Sequence, residues 1–120
     1  MKFSASTPLA CLLLTASLAL SSAACSEEEI PAVDCATVTV PVFSDVAAFA
    51  SCNGCHSSAV LEGDRQGAPA NVNFDTYEAA VANIDKAMEE VAEGAMPPNG
   101  ALATADADAL YAWGQCGKPQ

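Results

Sequence analysis

Two cysteines and a histidine stand within five residues, Cys52-Asn53-Gly54-Cys55-His56, and this histidine is the only one in the chain. Nothing else in the sequence narrows the fold as much. The two thiols are about one helical turn apart, and the next residue projects an imidazole from the same side. A helix is expected to deliver this turn. Val46, Phe49 and Ala50 recur at helical spacing before it, with Phe43 as a hydrophobic staple and Ser44 as the cap.

Two thiols at this spacing can each add to a vinyl group on one edge of a porphyrin, and the following imidazole then reaches the iron. This is the attachment signature of haem c, with Cys52 and Cys55 as thioether anchors and His56 as proximal ligand. Two other uses of the motif stand behind this one. A zinc site needs four donors from Cys, His or carboxylate, and no second CxxC or histidine pair completes one. A thiol-disulfide exchange pair normally opens a helix after a buried strand, whereas Val46 to Phe49 reads as a helix.

The ends of the chain place the motif in a compartment. Residues 1–24 carry one cation, Lys2, then the apolar run Pro8 to Leu20, then Ser21-Ser22-Ala23-Ala24. This is the layout of a secretory signal peptide, too short for a durable membrane span. Ser22-Ala23-Ala24 suits an ordinary signal peptidase, and Cys25 directly after it resembles the lipidated cysteine of a bacterial lipoprotein. Residues 25–34 read as a flexible charged tether with little to bury, leaving residues 35–120 as the folded domain. The expected location is the periplasm or cell envelope, with a lipid anchor to the membrane if Cys25 is modified.

A domain of under a hundred residues gains little surplus stability from its core alone, so staples are expected. Of the six cysteines, Cys11 is lost with the signal, Cys25 is the lipidation candidate, and Cys52 and Cys55 belong to the motif. Cys35 and Cys116 remain. In an oxidising compartment they most simply form a disulfide, closing a loop of roughly eighty residues and stabilising by about 4–5 kcal/mol as an upper figure.

The rest of the sequence reads as helices separated by turn-rich loops. Ser57 to Asn73 is rich in Gly, Pro, Asn and Ser, a loop with a short turn near Ala59 to Leu61. Asp75 and Glu78 form a capping box for a helix from about Asp75 to Glu93, whose apolar face is Tyr77, Val81, Ile84, Met88 and Val91. Gly94 is placed to end it. Thr104 caps a last helix with Asp106 and Asp108 in its first turn, and Leu110, Tyr111 and Trp113 face inward. The longest strand-like pattern is Thr37 to Phe43. Met88 sits on a helix face and is a core residue. Met96, before Pro97 and Pro98, lies in a stiff loop and is the candidate sixth iron ligand, because a thioether suits haem iron and raises the potential.

The helix leading into Cys52-Asn53-Gly54-Cys55-His56, the loop, Gly94-Ala95-Met96-Pro97-Pro98 and the final Leu110-Tyr111-Ala112-Trp113 together resemble a small class I monohaem cytochrome c. The stretch also resembles the cytochrome c modules of bacterial envelope lipoproteins. The likeness spans Phe43 to about Gly117. It implies an all-α fold of three to four helices around one covalent haem c, with the first and last helices crossing, the haem edge exposed, and His56 and Met96 axial. It further implies one-electron transfer. Ala48 stands where the family often has an aromatic, with Phe49 one place later, and a Cys35–Cys116 bridge is not a general family feature.

Function read in this way is electron transfer, with no catalytic side chain and so no enzyme as such. Arg65, Tyr77 and Trp113 are candidates for pairing with the haem propionates. The alternative is a haem-binding subunit or sensor whose sixth site is open and whose Met96 is structural; a structural lipoprotein without haem is a third reading. All 15 acidic residues follow Cys25 and the net charge is −11. That field repels nucleic acid and anionic membrane surfaces, so the expected partners are redox proteins of the envelope. The acidic surface serves either as plain solvation or to steer a basic redox partner.

Overall fold

The computed structural model describes residues 28–120. The expected signal segment, residues 1–24, and Cys25 lie outside the described residues. Those described are all-α: α1 is Ala48–Cys52, α2 is Tyr77–Ala92 and α3 is Thr104–Gln115, with short 3-10 turns at Phe43–Asp45 and Glu62–Asp64 and no strand. Thr37 to Phe43 pairs with nothing as a strand and runs largely exposed into the first 3-10 turn. Among the described residues no helix is long and apolar enough to cross a membrane.

Helix α2 forms because its sequence is rich in Ala, Glu and other good helix formers and has defined ends. Thr76 is its cap, with Oγ1 accepting from the Ala79 amide at 3.2 Å. At the other end Gly94 adopts φ +71°, and its amide donates to the Val91 carbonyl while that of Ala95 donates to Glu90. This left-handed exit satisfies the last carbonyls and favours glycine there. The helix buries Ala80, Ile84 and Met88. Val81, expected on the apolar face, is 37 % exposed, because Ala80 rather than Val81 lies over the axis of contact.

Helix α3 packs against both α1 and α2. Five successive residues, Leu110 to Gly114, are buried, so the end of this helix is enclosed on all sides rather than on one face. Gly114 makes the approach to α2 possible. A Cβ built there would meet Met88 Sδ at 2.6 Å and Ile84 Cγ1 at 2.9 Å. Trp113, fully buried, stands edge-on to Phe49 of α1 at 5.2 Å between ring centroids and close to Phe43 at 6.0 Å and Tyr77 at 6.2 Å. Such aromatic contacts stabilise by about 0.5–1.5 kcal/mol each beyond area burial.

The termini are tied onto this core. Cys35 and Cys116 form a disulfide with Cα atoms 5.4 Å apart. The Pro119 carbonyl accepts from the Trp113 indole at 2.8 Å and the Phe43 amide at 2.9 Å, and the Lys118 carbonyl accepts from the Tyr77 hydroxyl. The tether expected over residues 25–34 is held to the domain from Ile30 onward. Ile30 and Val33 pack on the core, and Gln115 accepts from the Val33 amide and donates to the Pro31 carbonyl.

Several local expectations need correction. Ser44 caps no helix; its hydroxyl donates to Asp45 within the 3-10 turn, and α1 starts four residues later with no side-chain cap. Ala50 is exposed and Ala48 is buried instead, because the 3-10 turn rotates the helix relative to a continuous helical register. Thr76, not Asp75, caps α2, since the Asp75 carboxylate is taken by serines of the preceding loop. Thr104 is the first residue of α3, after Ala103, with no side-chain cap, and of the two acidic residues Asp106 alone is in the first turn.

Candidate functional site

The motif lies on the last turn of α1 and just beyond it. The Cys55 and His56 amides both donate to the Cys52 carbonyl, at 3.1 and 2.8 Å, which curls Asn53 and Gly54 out of the way and keeps both cysteines and the histidine on one tight turn. Cys52 and Cys55 are free thiols, each half-buried. Burial pushes the Cys52 thiol up to about 11, against a smaller lowering by a backbone hydrogen bond. Thiol-disulfide exchange needs a thiolate near neutral pH, and burial at Cys52 disfavours that form.

His56 is fixed by the segment 72–74 running beside it. Its Nδ1 lies 3.1 Å from the Val72 carbonyl oxygen, and its own carbonyl accepts from the Phe74 amide at 2.9 Å. The Phe74 ring meets the imidazole edge-on at 5.6 Å. A carbonyl only accepts, so this contact places the proton on Nδ1, which in the neutral ring leaves the lone pair on Nε2. An imidazole held through one nitrogen and free at the other is the arrangement metal-binding histidines adopt.

The segment opposite is held by polar groups. Arg65 is 4 % exposed and donates to the carbonyls of Ser57 at 2.6 Å, Ala68 at 3.2 Å, Pro69 at 2.7 Å and Val72 at 3.0 Å, and to Asn73 Oδ1 at 2.9 Å. At the far end of the loop Asp75 Oδ2 accepts from Ser58 Oγ at 2.6 Å, the Ser58 amide at 3.0 Å and Ser57 Oγ at 3.1 Å. These bonds, led by that from the Ser58 hydroxyl, hold the Asp75 carboxyl below its usual range.

The expected site residues therefore divide into groups. Cys52, Cys55 and His56 come together on one turn. Met96 lies beyond Gly94 in the loop after α2 and stays out of the packed core, 37 % exposed. Cys25 is outside the described residues. The three propionate candidates are engaged elsewhere: Arg65 in the loop, Tyr77 on Lys118 and Trp113 on Pro119. Missed from the sequence were the Val72 carbonyl, a backbone acceptor that leaves no trace in side-chain identity, and Asp75, whose role depends on Ser57 and Ser58 seventeen or more positions earlier.

One imidazole beside two free thiols on a single turn is a donor set that a covalent haem could use. Among the described residues no three His, Cys, Asp or Glu side chains converge to hold a metal, and tetrahedral zinc needs four donors. A haem iron takes its equatorial nitrogens from the ring and asks the protein for one imidazole, which His56 presents beside two free thiols. No family model, curated protein or solved structure matches this chain.

Proposed function

We propose that this chain is a small electron carrier of the bacterial cell envelope that binds one covalent haem c. Cys52 and Cys55 tie the ring by thioether bonds, His56 Nε2 is the proximal ligand and the Met96 thioether is the distal one. When bound, the haem supplies a one-electron ferric/ferrous couple. The observation that carries the reading is His56: its Nδ1 proton is held by the Val72 carbonyl, one turn from two unpaired thiols, so that Nε2 alone is left to bind. The contact between α1 and α3 through Phe49 and Trp113 agrees with a cytochrome c-like crossing of first and last helices.

Each residue then has a task within reach of its chemistry. The thioethers fix orientation, Val72 fixes the tautomer and tilt of His56, and Met96, held by Pro97 and Pro98, offers a soft donor that favours the ferrous state. The acidic surface keeps nucleic acid away and steers a basic redox partner of the envelope. Lipidation at Cys25 anchors the domain to the membrane, five residues ahead of Ile30, which packs on the core.

The test is the visible spectrum of protein made with a working cytochrome c maturation system, taken oxidised and reduced, after acid-acetone extraction. Colour that stays with the protein, sharp α and β bands on reduction, and a ferric band in the far red from methionine ligation are expected. A colourless product beside a coloured control sinks the haem assignment and reopens the zinc and thiol readings. The exposure of Met96 favours one second reading, an open sixth site. Met96→Ala separates the two: the carrier loses its far-red band and high potential, the open-site protein keeps its spectrum.

A further inference from the structure

Arg65 is a buried cation without a carboxylate. Among the described residues the ion pairs are those of Lys86 with Glu89 and Glu90 on the exposed side of α2, and the guanidinium is neutralised by carbonyl dipoles alone. Burying an unpaired charge is costly, and a loop of this length can be closed without one. The position of the charge gives it a use. Arg65 Nη2 donates to the Val72 carbonyl at 3.0 Å, and His56 Nδ1 lies on the same oxygen at 3.1 Å. Two donors thus share one acceptor.

We infer that Arg65 is a positioning residue for His56, acting through the Val72 carbonyl that both side chains share, and that its charge holds the reduction potential of the bound haem high. The inference rests on the haem reading above. Two effects act in the same direction. An acceptor already polarised by a guanidinium takes less from a second donor, so His56 keeps its Nδ1 proton more fully and is a weaker electron donor towards the iron. A fixed positive charge near the proximal ligand also disfavours the more positive ferric state. Arg65 further fixes where the Val72 oxygen lies, because its fork grips Ser57, Pro69 and Asn73 at the same time.

The experiment measures the reduction potential of the haem-loaded full chain at fixed pH and ionic strength, with the exchange rate of the His56 Nδ1 proton in the ferrous form read by NMR. Arg65→Gln removes the charge, and Arg65→Lys keeps it without the fork. Asn73→Asp leaves Arg65 in place but sets a carboxylate against it where Asn73 Oδ1 now accepts. Arg65→Gln and Asn73→Asp are expected to lower the potential enough to change the ferrous-to-ferric ratio on the order of tenfold (about 59 mV for one electron). Arg65→Lys should fall between Gln and wild type, and Nδ1 exchange should slow most in Arg65→Gln, where the Val72 oxygen accepts from His56 without a competing guanidinium.

If Arg65 is only loop glue, thermal stability falls in the Arg65 variants while every potential stays at the wild-type value, and the inference is overturned. Should Arg65→Gln fail to fold, Asn73→Asp alone decides, since it deletes no part of the guanidinium network. A chain that takes up no haem sinks the carrier reading and this inference together. A haem-bearing chain whose potential ignores Asn73→Asp sinks only the role of Arg65.

Discussion

The α2–α3 pair and the stretch from Cys52 to Asp75 are built by different physics. The helix pair is held by apolar contact: Ile84 and Met88 against Gly114, and Trp113 among Phe43, Phe49 and Tyr77. Between Ser57 and Asn73, by contrast, the two buried residues are Ser57 and Arg65, and shape comes from hydrogen bonds to backbone carbonyls. The segment beside the candidate chemistry thus has almost no core of its own. Such a segment is stable only when something else supplies apolar surface, and on the haem reading the ring does so. Two regions built so differently should respond differently to loss of core and to loss of polar clamps.

The largest expected effect is on the staple that joins the extended N-terminal segment to the end of α3. Cys35 and Cys116 are separated by 81 positions, and loop-closure entropy puts the loss on replacing both with serine at about 4–5 kcal/mol, less where bound haem already restrains the unfolded chain. Chemical denaturation of the haem-loaded protein checks this. A loss below about 1 kcal/mol would mean that the core alone holds the ends.

Trp113→Ala should cost about 3–5 kcal/mol, because it removes a fully buried ring and leaves a cavity where three aromatic rings met. The Pro119 carbonyl loses its indole donor as well. Proteolysis followed by mass spectrometry is expected to find cuts both in α3 and between Ser57 and Asn73, since the loop lies against the core that Trp113 fills. Cuts confined to α3 would show that the polar half is independent.

Gly114→Ala probes the apolar half alone. Met88 Sδ lies at the end of a flexible side chain and can shift, but Ile84 Cγ1 is near the helix backbone and cannot do so freely. Overpacking of this kind costs about 1–3 kcal/mol, partly offset by the roughly 1 kcal/mol that alanine gains over glycine inside a helix. A lower melting temperature with unchanged hydrogen exchange in residues 57–73 supports the division between the halves.

Legibility in the sequence followed the same division. Helices α2 and α3 were readable because period and end signals agree there: Ile84 and Met88 repeat, and Gly94 stops the chain where a left-handed residue is needed. Their starts slipped by one or two residues, since Asp75, Thr76, Ala103 and Thr104 offer competing ends and a tertiary contact decides between them. The start and phase of the first helix are not legible, because a five-residue helix carries less than two turns of pattern and the 3-10 turn before it shifts the phase. At the candidate site the adjacency of Cys52, Cys55 and His56 was plain. What holds His56 was not, because Val72 acts through its carbonyl and Arg65 through carbonyls spread over seventeen positions of loop.

The smallest effect expected is at the polar end of the loop. The Ser57 and Ser58 donors favour the ionised form of Asp75, so its folded-state carboxyl titrates lower than in the unfolded chain. The contribution to stability is present above the unfolded carboxylate range and is lost as pH falls through the lower folded value, where the unfolded chain takes up the proton first. Asp75→Asn keeps one acceptor oxygen but has no charge to lose. It is expected to be slightly less stable at neutral pH and to have a shallower fall in stability on acidification. Hydrogen exchange at the Ser58 amide, compared between neutral and mildly acidic solution, checks both parts. Equal acid sensitivity in the two proteins would move the acid-labile clamp to another carboxylate and leave the loop resting on Arg65 alone.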